Sequence, residues 1–262
     1  MELQALLKQI DATKSWIGKK RPLAPKEVKE LDAYFRIGTT YTSNALEGNT
    51  LTLTETKILL EDGLTAGGKP LRDSYEALGH ASAYDFMLKT ARSVPFTFSE
   101  DIVLTLHKLL SQKIDEKTAG VYRDVQVLIT GTDYIPPPAN EVPELMKKLV
   151  EDIKEKLDSI HTVSLAAYAH QRLVDIHPFE DGNGRTARLL MNLILVNKGY
   201  QIVSIPPVLR HEYIHALTKG RRSGSKAGGA LAKFIAECEI EAQKDFCRMF
   251  QIKPPKNEDP AR

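Results

Sequence analysis

The chain has 262 residues, enough for one large domain or two smaller ones with a substantial core. Acidic and basic residues are interspersed and leave a formal net charge of only +2, which gives no argument for a nucleic-acid or membrane partner. Two cysteines, Cys238 and Cys247, are too few for a disulfide framework or a zinc site and indicate a reducing compartment. The start lacks a signal-peptide pattern and no apolar run reaches membrane-spanning length, so we expect a cytoplasmic protein.

The first 98 residues predict a helical N-terminal region. Apolar spacing predicts a first helix near residue 3, and further helices are expected to begin near residues 28, 54 and 70. Thr54 is the expected cap of the third helix. Gly48 and Asn49 are expected to end the second, because glycine and asparagine commonly terminate helices.

A second region, 99–252, continues the helical pattern, and the polar tail 253–262 is expected to be disordered. Apolar stripes predict helices over about 99–110, 142–157, 165–176, 189–196 and 229–250. The segment 189–196 is apolar on nearly every face except at Asn192, which predicts a buried central helix. These stripes are core positions, so the sequence predicts an all-α, mainly helical protein.

A short alternating segment follows the first helix of this second region. Val125, Val127 and Ile129 alternate with other side chains, which predicts a strand. Residues 131–133 suit a turn, and the prolines 136–138 end the element. The sequence therefore predicts a small β-hairpin at this point.

The segment 177–188, HPFEDGNGRTAR, carries the densest chemistry of the chain. Pro178 ends the preceding helix, so residues 181–184 form a tight loop that leads into the next helix. Unpaired backbone N–H groups and the positive end of the helix dipole meet there, which makes an anion site. Gly182 and Gly184 let a phosphate approach the backbone closely.

The side chains around this loop suit a nucleoside triphosphate. Arg185 and Arg188 can make charge-assisted hydrogen bonds to phosphate oxygens. Asp181 offers a hard oxygen ligand to Mg²⁺, which typically bridges a carboxylate and substrate phosphates. The ordinary pKa of histidine lies near neutrality, so His177 can take a proton from an attacking hydroxyl.

This segment resembles the signature of the Fic family, His-Pro-Phe-x-Asp/Glu-Gly-Asn-Gly-Arg-x-x-Arg, and matches every specified position. The resemblance implies an all-α Fic fold with a small β-hairpin flap. It also implies a protein adenylyltransferase, which moves AMP from ATP onto a Ser, Thr or Tyr hydroxyl of a target protein and releases pyrophosphate. Self-modification and a homodimer are further expectations for such a family member.

The resemblance also implies a role for each matching residue. His177 would be the general base and Asp181 the Mg²⁺ ligand. Arg185 would hold the leaving phosphates and Arg188 the γ-phosphate. The loop would hold the α- and β-phosphates through three residues, Gly182, Asn183 and Gly184.

A second motif, SNALEGN, begins at Ser43 and resembles the inhibitory motif of Fic proteins that carry an N-terminal inhibitory helix. Glu47 would lie at the negative end of its helix dipole, where a carboxylate needs a compensating cation. Arg188 is the natural partner, because a guanidinium and a carboxylate pair in a two-pronged geometry. An arginine occupied in this way could not bind the γ-phosphate, so we expect an autoinhibited enzyme.

Two further elements are placed by the resemblance. Tyr213 falls where some relatives hold an aromatic residue against adenine, although a partly buried helix tyrosine is an equal alternative. The hairpin would be a flap whose open edge pairs with the backbone of the target. Its target-docking residues would be Val127, Leu128, Ile129 and Thr130.

Several alternatives stay open at the level of sequence. Nothing in the motif reads adenine, so another nucleotide monophosphate could be transferred, whereas Gly184 argues against the phosphate-transferring branch, which has lysine there. Glu47 could instead orient a water for AMP removal. A non-catalytic nucleotide-binding module and a DNA-binding regulator are weaker, because the first needs no His177 and the second lacks a recognition helix. The other histidines, His80, His107, His161 and His170, are scattered and predict no site.

Overall fold

The computed structural model describes residues 2–19, 23–129, 132–222 and 229–253. Within these ranges the secondary structure is helical and no β-strand is present. None of the helices in this part of the chain is both long and apolar enough to cross a membrane. The α-helices found there are α1 (Leu3–Gly18), α2 (Pro25–Ala45), α3 (Leu53–Asp62), α4 (Leu71–Ala91), α5 (Glu100–Ser111), α6 (Val142–Lys156), α7 (Thr162–Ile176), α8 (Asn183–Asn197), α9 (Arg210–Arg222) and α10 (Ala230–Met249).

Helix α8 lies at the centre of the molecule, as its apolar sequence predicts. Its residues 189–195 are fully buried, and α4, α5 and α7 pack around it. Asn192, its buried polar residue, accepts a hydrogen bond from the Val203 amide at 2.8 Å and donates one to the Val203 carbonyl at 2.9 Å. This pair satisfies the buried amide and fixes the segment that follows α8.

The predicted N-terminal and C-terminal regions share one hydrophobic core. Helix α1 packs along α10, and Leu6 and Ile10 belong to the same buried cluster as Leu189. Helices α2 and α4 both pack on α8, which brings the end of α2 to the start of α8. The predicted tail lies outside the described residues except for Lys253, whose carbonyl accepts a hydrogen bond from Trp16.

The cap of α3 differs from the prediction. Thr52, and not Thr54, precedes the helix and accepts a hydrogen bond from the Glu55 amide at 3.2 Å. The Glu55 carboxylate accepts one in return from the Thr52 amide at 2.7 Å. The prediction of Thr54 was wrong because this reciprocal capping box begins two residues earlier.

The predicted β-hairpin is not seen in the described residues, and Thr130 lies outside them. The two arms are joined through side chains: Arg123 donates to the carbonyls of Val125 at 2.8 Å and Pro137 at 2.5 Å, and Gln126 donates to that of Pro136 at 3.1 Å. The three consecutive prolines 136–138 have no N–H to donate, so a main-chain ladder cannot continue through them. Alternation alone therefore overestimated the strand.

Candidate functional site

His177 is held at the point where α7 ends. Its backbone takes the left-handed conformation, with φ 52° and ψ 57°, and its amide donates to the Leu173 carbonyl at 2.9 Å. This conformation is uncommon and strained for a residue with a side chain, so the surrounding structure must impose it. Arg123 does so from outside, since its Nε donates to the His177 carbonyl at 2.8 Å and its amide donates to the Pro178 carbonyl at 2.9 Å.

The electrostatic surroundings keep the His177 imidazole neutral. Burial lowers its pKa, and the positive charges of Arg123 and Arg221 lower it further. The Val174 carbonyl and the Glu47 carboxylate oppose this shift without cancelling it. Nδ1 lies 3.3 Å from the Val174 carbonyl, which can only accept, so the proton belongs on Nδ1. Nε2 is then an acceptor for an incoming proton.

The loop before α8 has the geometry of an anion site. Gly182 has φ 77°, a conformation that favours glycine, and it immediately precedes α8. The Asn183 side chain closes the loop by accepting from the Phe179 amide at 3.0 Å and donating to the Phe179 carbonyl at 2.8 Å. The side chain of Asn183, which was predicted to bind nucleotide, therefore stabilises the conformation of the loop. The first amides of α8 are left to face an anion.

His107 supports this loop from beneath, a role that the sequence did not predict. Its Nδ1 accepts from the Gly120 amide at 2.9 Å, so its Nε2 carries the proton toward the Asp181 carbonyl, 3.0 Å away. The ring stacks on Phe179 with centroids 3.6 Å apart. Burial lowers the pKa of His107 to about 4. Its spacing in the sequence gave no signal, because its partners lie on other elements.

Arg185 and Asp181 form the outer end of the loop. One oxygen of Asp181 accepts from the Gly182 amide at 2.6 Å, and the other lies 3.3 Å from Arg185 and 2.8 Å from Arg72. Burial raises the pKa of Asp181, but the Arg185 charge, the Gly182 amide and Arg72 outweigh it and hold the pKa below its ordinary value. Arg185 is buried, and its Nε and Nη1 have no hydrogen-bond partner among the described residues, although Glu76 lies 3.3 Å from Nη1.

Arg188 forms the inner end, where the predicted pair with Glu47 is present. Its Nη2 donates to the Glu47 carboxylate at 2.7 Å and to the Ser43 carbonyl at 2.8 Å, and its Nε donates to the Ser43 hydroxyl at 3.0 Å. Burial raises the pKa of Glu47, but the charge and hydrogen bond of Arg188 lower it by more than burial raises it, so Glu47 is ionised. The end of α2 therefore holds Arg188 through both members of the predicted inhibitory motif.

Tyr213 lies beneath Arg188 and does not present a free face to a base. Its ring is buried against His170 and Phe234, with centroids 5.7 and 6.0 Å away. Its hydroxyl lies 3.3 Å from Arg188 Nη1 and 3.1 Å from His170 Nε2. The alternative of a buried helix tyrosine fits this position better than adenine stacking. Burial and the Arg188 charge lower the pKa of His170 to about 3, which keeps it neutral.

Gly184 is required by the approach of Glu47. A Cβ at this position would collide with the Glu47 carboxylate and lie 3.1 Å from Arg188 Nη1. The second glycine of the loop thus leaves room for a group at the phosphate site, and Glu47 uses that room here. Of the predicted docking residues that the structure describes, Leu128 is 78% exposed, whereas Val127 and Ile129 are half-buried.

Comparisons with known proteins agree with this geometry. Residues 97–195 match the model of the Fic/DOC family. Over 209 residues the chain is 35% identical to a protein adenylyltransferase Fic of Drosophila persimilis, covering 79% of this chain and 39% of that protein. The chain therefore spans about two fifths of the length of that curated relative.

Two solved structures share the fold over nearly the whole chain. A Fic domain containing signaling protein from Bacteroides thetaiotaomicron has a TM-score of 0.81 and 29% identity, covering 91% of this chain and 95% of that one. Fic-1 from C. elegans has a TM-score of 0.84 and 28% identity, covering 96% of this chain and 74% of that one. With the matched segment, the anion loop and the shared fold in agreement, this chain carries a Fic/DOC family domain.

Proposed function

We propose that this protein is a Mg²⁺-dependent adenylyltransferase that transfers AMP from ATP to a Ser, Thr or Tyr hydroxyl of a target protein. The observation that carries the proposal is the juxtaposition of a neutral His177 with the anion loop and with Arg185, whose Nε and Nη1 have no hydrogen-bond partner among the described residues. A site that only binds phosphate has no use for a base at this position. The relative in Drosophila persimilis is named an adenylyltransferase, which supports the same activity.

The chain's own residues account for the proton and for the charge of the leaving group. The Nε2 of His177 takes the proton of the target hydroxyl as its oxygen bonds to the α-phosphorus of ATP. The bond from that phosphorus to the oxygen bridging the α- and β-phosphates breaks, and pyrophosphate leaves with the electron pair. The α8 amides and Arg185 stabilise the negative charge on the departing phosphates. His177 then returns its proton to solvent.

Asp181 is the residue that would hold Mg²⁺. In the described residues no group of three or more His, Cys, Asp or Glu side chains is arranged to bind a metal. This fits Mg²⁺, which is usually bound by one or two carboxylates together with substrate phosphates. When bound, the ion would neutralise charge on those phosphates.

Autoinhibition through Glu47 is part of the proposal. Arg188 cannot bind a γ-phosphate while it donates to Glu47 and Ser43, and Glu47 occupies the space above Gly184. Both effects oppose the productive placement of ATP. If Ser43 and Glu47 moved away from Arg188, both effects would be removed at once.

AMP removal is a second candidate because the charge of Glu47 raises the pKa of His177, so the two groups are near enough to interact electrostatically. A carboxylate there could orient a water toward an AMP-modified hydroxyl. This activity would require Glu47, whereas AMP transfer would be opposed by it. Transfer of another nucleotide monophosphate also stays open, and self-modification and a homodimer stay predictions.

Labelled ATP distinguishes these functions. Glu47→Gly protein with Mg²⁺ and α-labelled ATP is expected to label itself or protein in a lysate, whereas γ-labelled ATP is not. Glu47→Gly with His177→Ala should lose the signal by about 10²-fold or more. Label from γ-labelled ATP would indicate a kinase, and no label from any α-labelled nucleoside triphosphate would indicate a binding module. Loss of pre-attached AMP with wild type, and not with Glu47→Gly, would establish removal.

A further inference from the structure

Arg72, in the first turn of α4, holds the carboxylate to which the proposed function assigns the metal. Its Nη2 donates to Asp181 Oδ2 at 2.8 Å, and its Nε donates to Glu76 Oε1 at 3.1 Å. The sequence singled out neither Arg72 nor Glu76. The same Glu76 lies 3.3 Å from Arg185, so one carboxylate braces both arginines that contact Asp181.

Both oxygens of the Asp181 carboxylate accept hydrogen bonds in this arrangement. Its Oδ1 accepts from the Gly182 amide at 2.6 Å, which keeps the loop closed. Its Oδ2 lies 2.8 Å from Arg72 and 3.3 Å from Arg185, so Arg72 is the closer of the two guanidiniums that a cation on this carboxylate would meet. A guanidinium and a divalent cation on the same carboxylate repel each other, so each weakens the binding of the other.

Arg72 is also the partner that can leave. Its side chain is 58% exposed, whereas that of Arg185 is 5% exposed. Arg72 borders a cavity of about 280 Å³, which His107 and Ser111 also line, so its side chain can move without disturbing the core. Arg185 cannot move in this way, because it is packed beneath the loop.

We propose that Arg72 is a positioning residue that competes with a divalent cation for the Asp181 carboxylate until nucleotide and cation arrive together. This inference rests on the proposed function for the assignment of Asp181. Arg72 weakens the binding of free metal to this carboxylate in the absence of nucleotide. Contact with Glu76 keeps the guanidinium near the site after it is displaced.

Binding of Mn²⁺, followed by electron paramagnetic resonance, tests this inference without requiring catalysis. In the Glu47→Gly background, Arg72→Gln is expected to tighten Mn²⁺ binding about two- to fivefold, the range expected for loss of an exposed ion pair. Arg72→Lys should give a smaller change, because it keeps the charge. Arg36→Gln is the matched control, since Arg36 pairs with Asp85 at 2.8 Å on the surface, and it should change nothing.

Unchanged or weaker Mn²⁺ binding in a folded Arg72→Gln protein would overturn the inference. So would a loss of metal-free ATP-analogue binding, which would make Arg72 a phosphate ligand instead. Melting temperatures of all variants show whether they are folded. If Mn²⁺ binding tightens and no AMP is transferred, the proposed function is wrong but the role of Arg72 stands. If AMP is transferred and Mn²⁺ binding is unchanged, only the role of Arg72 fails.

Discussion

The two ends of the anion loop are held by similar ion pairs in different surroundings. At the inner end Arg188 lies 2.7 Å from Glu47, and at the outer end Arg72 lies 2.8 Å from Asp181. The Arg188 side chain is 4% exposed, whereas those of Arg72 and Asp181 are 58% and 64% exposed. Distance therefore does not distinguish the pairs, but burial of the arginine does.

This difference determines what each pair can control. Removing the partner of a buried charge leaves that charge uncompensated, which costs more than the loss of an exposed pair worth about 0–1 kcal/mol. Arg188 thus needs an anion at all times, from either Glu47 or a phosphate. Arg72 can leave Asp181 for water at little cost. The inner pair is suited to block the site, and the outer pair is suited to adjust it.

Among the changes that test this difference between the two pairs, removal of Glu47 should have the largest effect, and the effect is on the rate of AMP transfer. Glu47→Gly frees Arg188 for the γ-phosphate, and we expect AMP transfer to rise about 10- to 100-fold, the value of one charge-assisted hydrogen bond. The rate of label incorporation from α-labelled ATP measures the change. Asp32→Asn is the matched control, because Asp32 lies on the same helix and pairs with Arg92 at 2.7 Å away from the site. Equal rates in Glu47→Gly and wild type would refute the inhibitory role.

A methyl group at Gly184 should test whether Glu47 fills the space beside the loop at its inner end. Gly184→Ala places its Cβ against the Glu47 carboxylate, and overpacking of this kind costs about 1–3 kcal/mol. In the Glu47→Gly background the collision with the carboxylate is absent and only the 3.1 Å approach to Arg188 Nη1 remains, so alanine should cost less there, and its higher helix propensity opposes that remaining cost. Urea unfolding of the four proteins gives the coupling between the two positions. Additive free energies would show that Glu47 does not occupy this space.

Acid should weaken the inner pair, with the smallest expected effect. The folded pKa of Glu47 is lowered, so its stabilising contribution is present above the unfolded pKa and is lost as pH falls through the folded pKa. Because the Glu47 side chain is 39% exposed, the contribution is expected to be about 1 kcal/mol or less. The difference in unfolding free energy between wild type and Glu47→Gln should shrink as pH falls below 4.5. A constant difference from pH 7 to pH 3 would contradict this expectation.

The sequence anticipated much of the site because its residues are local to one segment. His177, Asp181 and the two arginines of α8 follow from one loop and one helix, whose periodicity is visible in the chain. The all-helical core was predictable for the same reason. The hairpin was not, because alternation does not report whether two arms pair through their backbones, and here the side chains of Arg123 and Gln126 connect them.

The residues that sequence analysis missed act across elements. His107 is remote in sequence from the loop that it supports, and Arg123 is remote from the His177 carbonyl that it holds. For Tyr213 the sequence left adenine contact and a buried helix position both open, and packing turns the side chain toward Arg188 and His170. Neither spacing nor residue type could assign these partners, because each depends on how separate helices pack.

By itself, the sequence determined most of the helices, the anion loop at the start of α8 and the chemistry of the groups around it. These depend on short-range periodicity, glycine at φ 77° and the acid–base character of single side chains. Only the tertiary structure decided which charges are buried and which are exposed. That decision comes from packing α2 and α4 against α8, and it separates the Glu47–Arg188 pair from the Arg72–Asp181 pair. Desolvation depends on the whole fold, so no local pattern can report it.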